Sequence, residues 1–455
     1  MSASIDINLT GGVRKWKRYP AYKPVLLDWL QQVPEHWPIL RLKDSIRKSV
    51  NGVWGDEPNG GEDDIVCIRV ADFDRVSFRV PDIEFTRRAI PQHQRASRTI
   101  VKGDLLLEKS GGGEGQPVGA VVLFCLDVPA VCSNFIARIQ LNPGFDPSFI
   151  CYLHASLYSG RINVRSIKQS IGIQNLDAGS YFNEVVPYAP LDEQRRIVTF
   201  LDRETAKIDT LIAKKERLIE LLQEQRIALI SHAVTKGIDP TVPMKDSGVE
   251  WLGKIPAHWG VIQSRRVFKV RNEPALESDE QLTASQKYGM LPQTEFMERE
   301  GRRVVVTIKG VDSLHHVEPN DYVISLRSFQ GGIEWCKLAG SVTFHYVVLK
   351  PVKTIHPPYF GQLFKSSVFI QALRSTTDFI RDGQDLRYSQ FVLVPLPVVP
   401  MDEQAAIASF LDRETHRLDR LIAKVGEAID KLREYRTALI SAAVTGKIDV
   451  REEVA

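Results

Sequence analysis

Two stretches of the chain repeat apolar residues at intervals of three, four and seven, the spacing of a helix that buries one stripe. In the first the stripe is Ile197, Leu201, Ile208, Leu211, Leu218, Leu222 and Leu229; in the second it is Ile407, Leu411, Leu418, Leu421, Leu432 and Leu439. Pro187 and Pro190 precede the first stretch, Asp192 is placed to cap it, and Glu193 falls in the first turn, where the helix dipole favours negative charge. Gly237 and Pro240 end the first stretch and Gly446 ends the second. The pattern predicts a helix over 191–233 and another from 401 to Gly446. About 42 residues at 1.5 Å each make a rod of about 60 Å. A rod with a single apolar stripe needs a partner. With two such rods in one chain, the spacing predicts an intramolecular antiparallel pair. The alternative is a helix that associates with another chain.

The two helical stretches are copies. Residues 191–240 and 401–450 align without a gap at an offset of 210, with roughly 28 identities in 50. A second pair lies upstream, WLQQVPEHW at Trp29–Trp37 and WLGKIPAHW at Trp251–Trp259, offset by 222. Between these landmarks the copies share only a frame. GDLLL at Gly103 resembles NDYVI at Asn320, PSFICYLHAS at Pro147 matches PPYFGQLFKS at Pro357, and Gln174 and Leu176 match Gln384 and Leu386. The falling offset places length changes in loops, which absorb them most readily. The expected organisation is a tail (1–21), a variable domain (22–190), a helix and linker (191–245), a second variable domain (246–400), and a second helix and tail (401–455).

Each variable domain mixes strands with helices. Short apolar runs predict strands at Ile65–Val70, Asp104–Leu107, Val118–Phe124 and Phe135–Ile139, and at Val304–Ile308, Tyr322–Ser325, Gly340–Phe344 and Tyr346–Lys350. Phe149–Tyr158 and Tyr359–Leu373 read as helices. The fold class expected is mixed α+β, of the α/β kind.

Composition narrows the function. Of 455 residues 43% are hydrophobic and 25% charged, ordinary for a globular protein, and no apolar run approaches a bilayer span. The five cysteines form no CxxC pair and fit no complete disulfide framework, so a reducing, cytoplasmic setting is expected. A net charge of +3 does not by itself argue for nucleic acid; any such affinity must come from local patches.

Local patches exist. Lys109-Ser110-Gly111-Gly112-Gly113 and Arg327-Ser328-Phe329-Gln330-Gly331-Gly332 are glycine-rich turns at corresponding places in the two copies. Glycine lets backbone approach a phosphate, and Arg, Ser and Gln reach base edges. Arg87, Arg88, Arg95 and Arg98 form a basic stretch in the first domain, as Arg299, Arg302, Arg303 and Lys309 do in the second. Gln174, Gln384 and Arg387 complete the candidates for contact with DNA. The competing reading of each is an ordinary turn or a solvated charged face.

Catalytic signals fail. His356-Pro357-Pro358-Tyr359 has His where an amino-methyltransferase loop supplies Asn or Asp, and it falls where the first copy opens a helix. The glycines of SGGGEGQPVG do not space as GxGxxG, no GxxxxGK[ST] occurs, and the histidines lack HExxH spacing. No catalytic residue, metal site or cofactor is assigned to the chain.

The arrangement resembles the specificity subunits of type I restriction-modification enzymes. The resemblance rests on Pro190-Leu191-Asp192-Glu193-Gln194 and Pro400-Met401-Asp402-Glu403-Gln404, on the LDRET helices, on the ALISxAVT helix ends and on the two tryptophan motifs. It implies two similar target-recognition domains joined by two long antiparallel coiled-coil helices in a pseudo-twofold repeat. It implies that each domain reads half of a bipartite, asymmetric site in double-stranded DNA. Two modification subunits would bring S-adenosylmethionine, and two motor-nuclease subunits would bring ATP and Mg, in a phage-defence system with no membrane component. A coiled-coil adaptor without DNA function and a self-contained DNA-modifying enzyme are the alternatives.

Overall fold

The computed structural model describes residues 16–113, 115–170, 172–301, 314–326, 328–376 and 387–453. The expected strand over Val304–Ile308 lies outside them. The chain forms two compact units, Met1–Lys215 with Glu427–Ala455, and Glu216–Gly426. Each unit holds one variable domain and a segment of both long helices.

The helices run Leu191–Lys236 and Met401–Val444. Asp192 lies inside the first turn rather than at the cap; the helix already begins at Leu191, and the Pro190 carbonyl accepts from the Gln194 amide at 2.8 Å. Gly237 and Gly446 follow the helix ends at φ +80° and +72°, the left-handed conformation that glycine adopts without a Cβ penalty. In the first unit Trp37 touches both Glu193 and Gly446, and Arg436 bonds Asp209 at 2.8 and 3.2 Å. In the second, Trp259 touches both Glu403 and Gly237, and Arg226 meets Asp419 at 3.2 Å. Within each unit the paired residues climb one helix as they descend the other, so the segments are antiparallel. The bridges join repeat-equivalent residues: 209 and 436 sum to 645, as do 226 and 419.

The stripe is only partly buried. Ile197, Leu201, Ile208, Leu432 and Leu439 lie in the first unit's core, Ile407 and Leu411 lie in the second's, and Leu418 is buried. Leu222 and Leu229 are half-buried. Leu211, Leu218 and Leu421, expected in the stripe, are instead 44%, 43% and 40% exposed. Each has an adjacent isoleucine, Ile212, Ile219 or Ile422, that is half-buried in its place.

The variable domains share one frame. In the first unit a four-stranded antiparallel sheet has the order Ile46–Asn51, Ile136–Leu141, Leu105–Glu108, Val121–Leu123. In the second the order is Phe268–Val270, Val347–Pro351, Tyr322–Ile324, Glu334–Trp335, again antiparallel throughout. The turn before the third strand carries Gly103 at φ +95° in one and Asn320 at +75° in the other. The next residue is a buried aspartate bound to arginine in both, Asp104 to Arg138 at 2.6 Å and Asp321 to Arg271 at 2.7 Å. A helix packs on the sheet, Pro147–Ser159 in the first unit. Its counterpart is two helices, Pro357–Lys365 and Ser367–Ser375, because Ser366 turns extended and caps the second. The His356-Pro357-Pro358-Tyr359 stretch opens that element: His356 is the N-cap and the Tyr359 hydroxyl donates to the Val234 carbonyl at 2.8 Å.

One buried cluster makes the second unit sensitive to pH. His316 presents Nδ1 to Asp279 at 2.7 Å and Nε2 to Glu318 at 2.9 Å. Burial alone would lower its pKa, but the hydrogen bonds and charges of Glu318 and Asp279 together raise it above the ordinary value. A raised folded-state pKa stabilises fully below the unfolded value of about 6.5, and that stability is lost as pH rises through the folded pKa. Urea midpoints for the second unit should therefore fall as pH climbs above neutral, and His316→Gln should flatten this dependence. An unchanged profile in the variant would show that the cluster does not titrate with folding.

Among the described residues no helix is long and apolar enough to cross a membrane.

Candidate nucleic-acid interface

A recognition surface needs a fixed base, and the repeated motifs supply it. The Trp37 indole donates to Glu193 Oε1 at 3.1 Å, His36 Nε2 meets Glu193 Oε2 at 2.9 Å, and the Tyr19 hydroxyl donates to Oε1 as well. In the second unit Trp259 donates to Glu403 Oε2 at 2.9 Å, and His258 meets Oε1 at 2.6 Å. The neighbouring glutamine ties the domain to the same helix start. Gln194 donates to the Ala189 carbonyl and accepts from the Asp146 amide, both at 2.8 Å. Gln404 donates to Val399 at 2.9 Å and accepts from His356 at 2.8 Å. Asp146 and His356 are the N-caps of the helices that pack on the sheets. Tryptophan motif and Glu-Gln pair thus form one clasp, although they lie about 150 residues apart.

On that base the sequence-derived candidates separate. Arg88 is buried and committed to the fold: Nε donates to the Trp54 carbonyl at 3.3 Å, Nη2 to Gly55 at 3.2 Å, Nη1 to Glu57, and its guanidinium lies 4.5 Å from the Trp54 ring centroid. Arg95 donates to the Glu62 and Asp63 carbonyls, Arg98 to Gln94 at 2.7 Å, and Arg87 to Asp64 at 2.7 Å. Arg87, Arg88 and Arg95 therefore brace the 54–64 segment and Arg98 its own turn, and only Arg87 of the four is exposed. Arg88 is buried with each guanidinium nitrogen bonded to the 54–57 segment, so its side chain is held within the fold.

The glycine turn of the first domain is built into a ribbon. Ser110–Gly111 pairs with Ile173–Leu176, which pairs with Ile167–Ser170. Lys109 donates to Asn51 at 2.7 Å and Ser110 to Asn175 at 2.6 Å. Gln174 is buried and accepts from the Val118 amide at 3.3 Å. A Cβ on Gly111 would meet open space, whereas one on Gly112 would lie 2.9 Å from the Val118 nitrogen. The structure thus joins Lys109, Ser110, Gly111 and Gln174, and assigns Gln174 to the fold. Below the ribbon, burial raises the pKa of Glu108, partly offset by Arg75, which holds it at 2.9 Å.

In the second domain Ser328 is buried and accepts from the Ser325 amide at 2.8 Å. Gln330 is exposed, and Arg387 is an exposed N-cap. Arg299 pairs with Glu295. Arg302, Arg303, Lys309, Arg327 and Gln384 lie outside the described residues.

Sequence reasoning passed over another set of cations. Lys43, Arg47 and Lys48 of the first domain and Arg265, Arg266 and Lys269 of the second are exposed, and none joins an ion pair among the described residues. The offset of 222 that aligned the tryptophan motifs also matches Lys43 to Arg265 and Arg47 to Lys269.

No family model matches the chain. It is 24% identical over 245 residues to the type I restriction enzyme MjaVIII specificity subunit of Methanocaldococcus jannaschii, a match covering 53% of this chain and 51% of that one. The chain thus spans about half the length of that relative. It is 21% identical over 451 residues to the type I restriction enzyme EcoKI specificity subunit of Escherichia coli K12, covering 92% and 90%. Among solved structures, a chain from work on complex assembly and conformational transition of the type I R-M system superposes with TM-score 0.65 at 16% identity, over 91% of this chain and 99% of that one. The HsdS subunit of Thermoanaerobacter tengcongensis gives 0.53 at 15% identity, over 91% and 98%.

Proposed function

We infer that this chain, a relative of the type I restriction enzyme specificity subunits that shares their fold, is the DNA-recognition subunit of such a system. The observation that carries the reading is the repeat itself. Two domains keep the same four-strand order and the same clasp while their exposed turns differ in nearly every residue. Equal frames with unequal surfaces suit two readers of unequal sequences. Each domain reads one half of a bipartite, asymmetric site in duplex DNA, and the helix pair carries both.

The chain contributes no catalytic step. Two modification subunits methylate adenine with S-adenosylmethionine held in their own folds, and two motor-nuclease subunits use ATP and Mg. On the first domain the ribbon around the half-buried Lys109, Ser110 and Gly111 is the base-reading candidate. On the second, Gln330 and Arg387 are, with Arg327 as a proposed bidentate reader of guanine.

Methylome sequencing tests the assignment. A strain carrying the three-subunit system should show adenine methylation at one motif of two specified parts around an unspecified spacer. Deleting this chain alone should abolish it. Methylation that persists without the chain, or a continuous motif, would refute the recognition role and favour a structural adaptor.

A further inference from the structure

The six cations missed from sequence occupy one place in each domain. Lys43 lies in the short helix Leu42–Ser45, and Arg47 and Lys48 lie on the outer strand Ile46–Asn51 of the four-stranded sheet. Arg265 and Arg266 lie in the matching turn Ser264–Arg266, and Lys269 lies on the matching outer strand Phe268–Val270. Strand register matches Ile46, which pairs with Leu141, to Phe268, which pairs with Pro351, 210 residues later; Arg47 then stands in a bulge and the offset drops by one, so Lys48, opposite Gln140, matches Lys269, opposite Lys350.

Divergence around them is nearly complete. With Arg47 set aside in its bulge, Ile39–Ser49 and Val261–Val270 share one identical residue, Lys48 with Lys269, whereas Asp44 matches Arg266 and Ser49 matches Val270. Positive charge is kept at two positions, Lys43 with Arg265, where the residue type switches from Lys to Arg, and Lys48 with Lys269. The switch is informative. A bidentate contact to a base needs the planar fork of arginine and does not survive replacement by lysine. A phosphate accepts either as a positive charge. Two domains that read different bases still meet the same backbone, so their base contacts diverge while their phosphate contacts recur.

We propose that Lys43 and Lys48 in the first domain, and Arg265 and Lys269 in the second, are the phosphate-contacting pairs that seat each domain on duplex DNA. The inference rests on the recognition role argued above and assigns a surface to it. The bland alternative is that charge on an outer strand merely prevents edge-to-edge association.

Salt dependence separates the two. The full chain, with its modification subunits, is titrated with a duplex carrying the methylated motif and with one lacking it, across a range of salt concentrations. Each phosphate contact adds about 0.9 to the slope of log affinity against log salt. Lys43→Gln with Lys48→Gln should flatten the slope by about 2 on both duplexes, as should Arg265→Gln with Lys269→Gln. The charge-conserving pair Lys43→Arg with Lys48→Arg should keep the wild-type slope, which controls for folding. The methylated motif should be unchanged in every variant. An unchanged slope in the glutamine variants, or a changed base preference, overturns the proposal while leaving the recognition role standing. A wild-type assembly that does not distinguish the two duplexes overturns the recognition role itself.

Discussion

Replacing residues 260–400 by the corresponding domain of another specificity subunit is expected to change one half of the methylated motif completely and leave the other half intact. The boundaries follow from the clasp. Residue 260 is the first after Trp259, whose indole is held by Glu403, and residue 400 is the last before the helix that carries Glu403 and Gln404. A graft between them leaves Trp259, Glu403 and the helix residues Ile230, Val234, Ile407 and Leu411 native. What the graft must supply is also defined. It needs an apolar set equivalent to Phe268, Tyr322, Phe360 and Phe364, whose neighbouring rings pack edge-on or tilted with centroids 5.2 to 5.7 Å apart. It also needs backbone groups in the places of the Val399 carbonyl and the His356 amide to satisfy Gln404. The first domain shares none of these contacts, since its core closes around Trp37, Phe149, Tyr181 and Leu439. A methylome of the chimera is the measurement. Simultaneous change in both halves would mean that the domains do not read independently.

What the sequence made legible was set by the range of the interactions involved. The long helices were readable because a stripe repeating over forty residues is a local signal, reinforced by a second copy. Its midsection was misread because Leu211-Ile212, Leu218-Ile219 and Leu421-Ile422 are adjacent apolar pairs. Neighbours in a helix point about 100° apart, and periodicity alone does not choose between them. The break at Ser366 was missed because the apolar spacing continues across it, although a serine cap before an apolar run is a stop signal in its own right.

The clasp was half legible: both motifs stood out as repeat landmarks, but only the fold brings Trp37 to Glu193 across 156 residues. The engagement of Arg88 within the basic stretch at 87–98 was hidden for the same reason. Arg88 finds its acceptors at Trp54, Gly55 and Glu57, more than thirty residues upstream, and a charge run in sequence carries no sign of them. The cations at Lys43 and Lys48 were only half within reach of the repeat alignment: Arg47-Lys48 is a run of two, and the bulge that matches Lys48 to Lys269 shows only in the sheet.

Removing the carboxylate of the clasp should affect the two units unequally, and strongly in the first. Glu193 is buried, and its two oxygens serve three donors, Trp37, Tyr19 and His36. Tyr19 is itself covered by the Arg451 guanidinium at 4.9 Å, and Arg451 is held by Asp449, so the chain's last described turn packs onto the same group. Glu193→Ala leaves an indole and a phenol buried without acceptors and opens a cavity beneath the helix start. Breaking a buried network of this kind costs about 3–5 kcal/mol. Glu403 serves two donors, its side chain is 36% exposed, and water can replace part of what it provides. Glu403→Ala should cost about 1 kcal/mol. Glu193→Gln keeps an acceptor for Trp37 while its amide nitrogen faces His36, whose ring can switch tautomer to accept, so its cost should fall between the two. Hydrogen exchange resolved by segment measures the units separately. In Glu193→Ala, protection should drop across Ile136–Leu141 and Pro147–Ser159 and be retained across Val347–Pro351 and Pro357–Lys365. Equal losses in the two alanine variants would show that the extra donor and the deeper burial of Glu193 contribute nothing to holding the first domain on its helix.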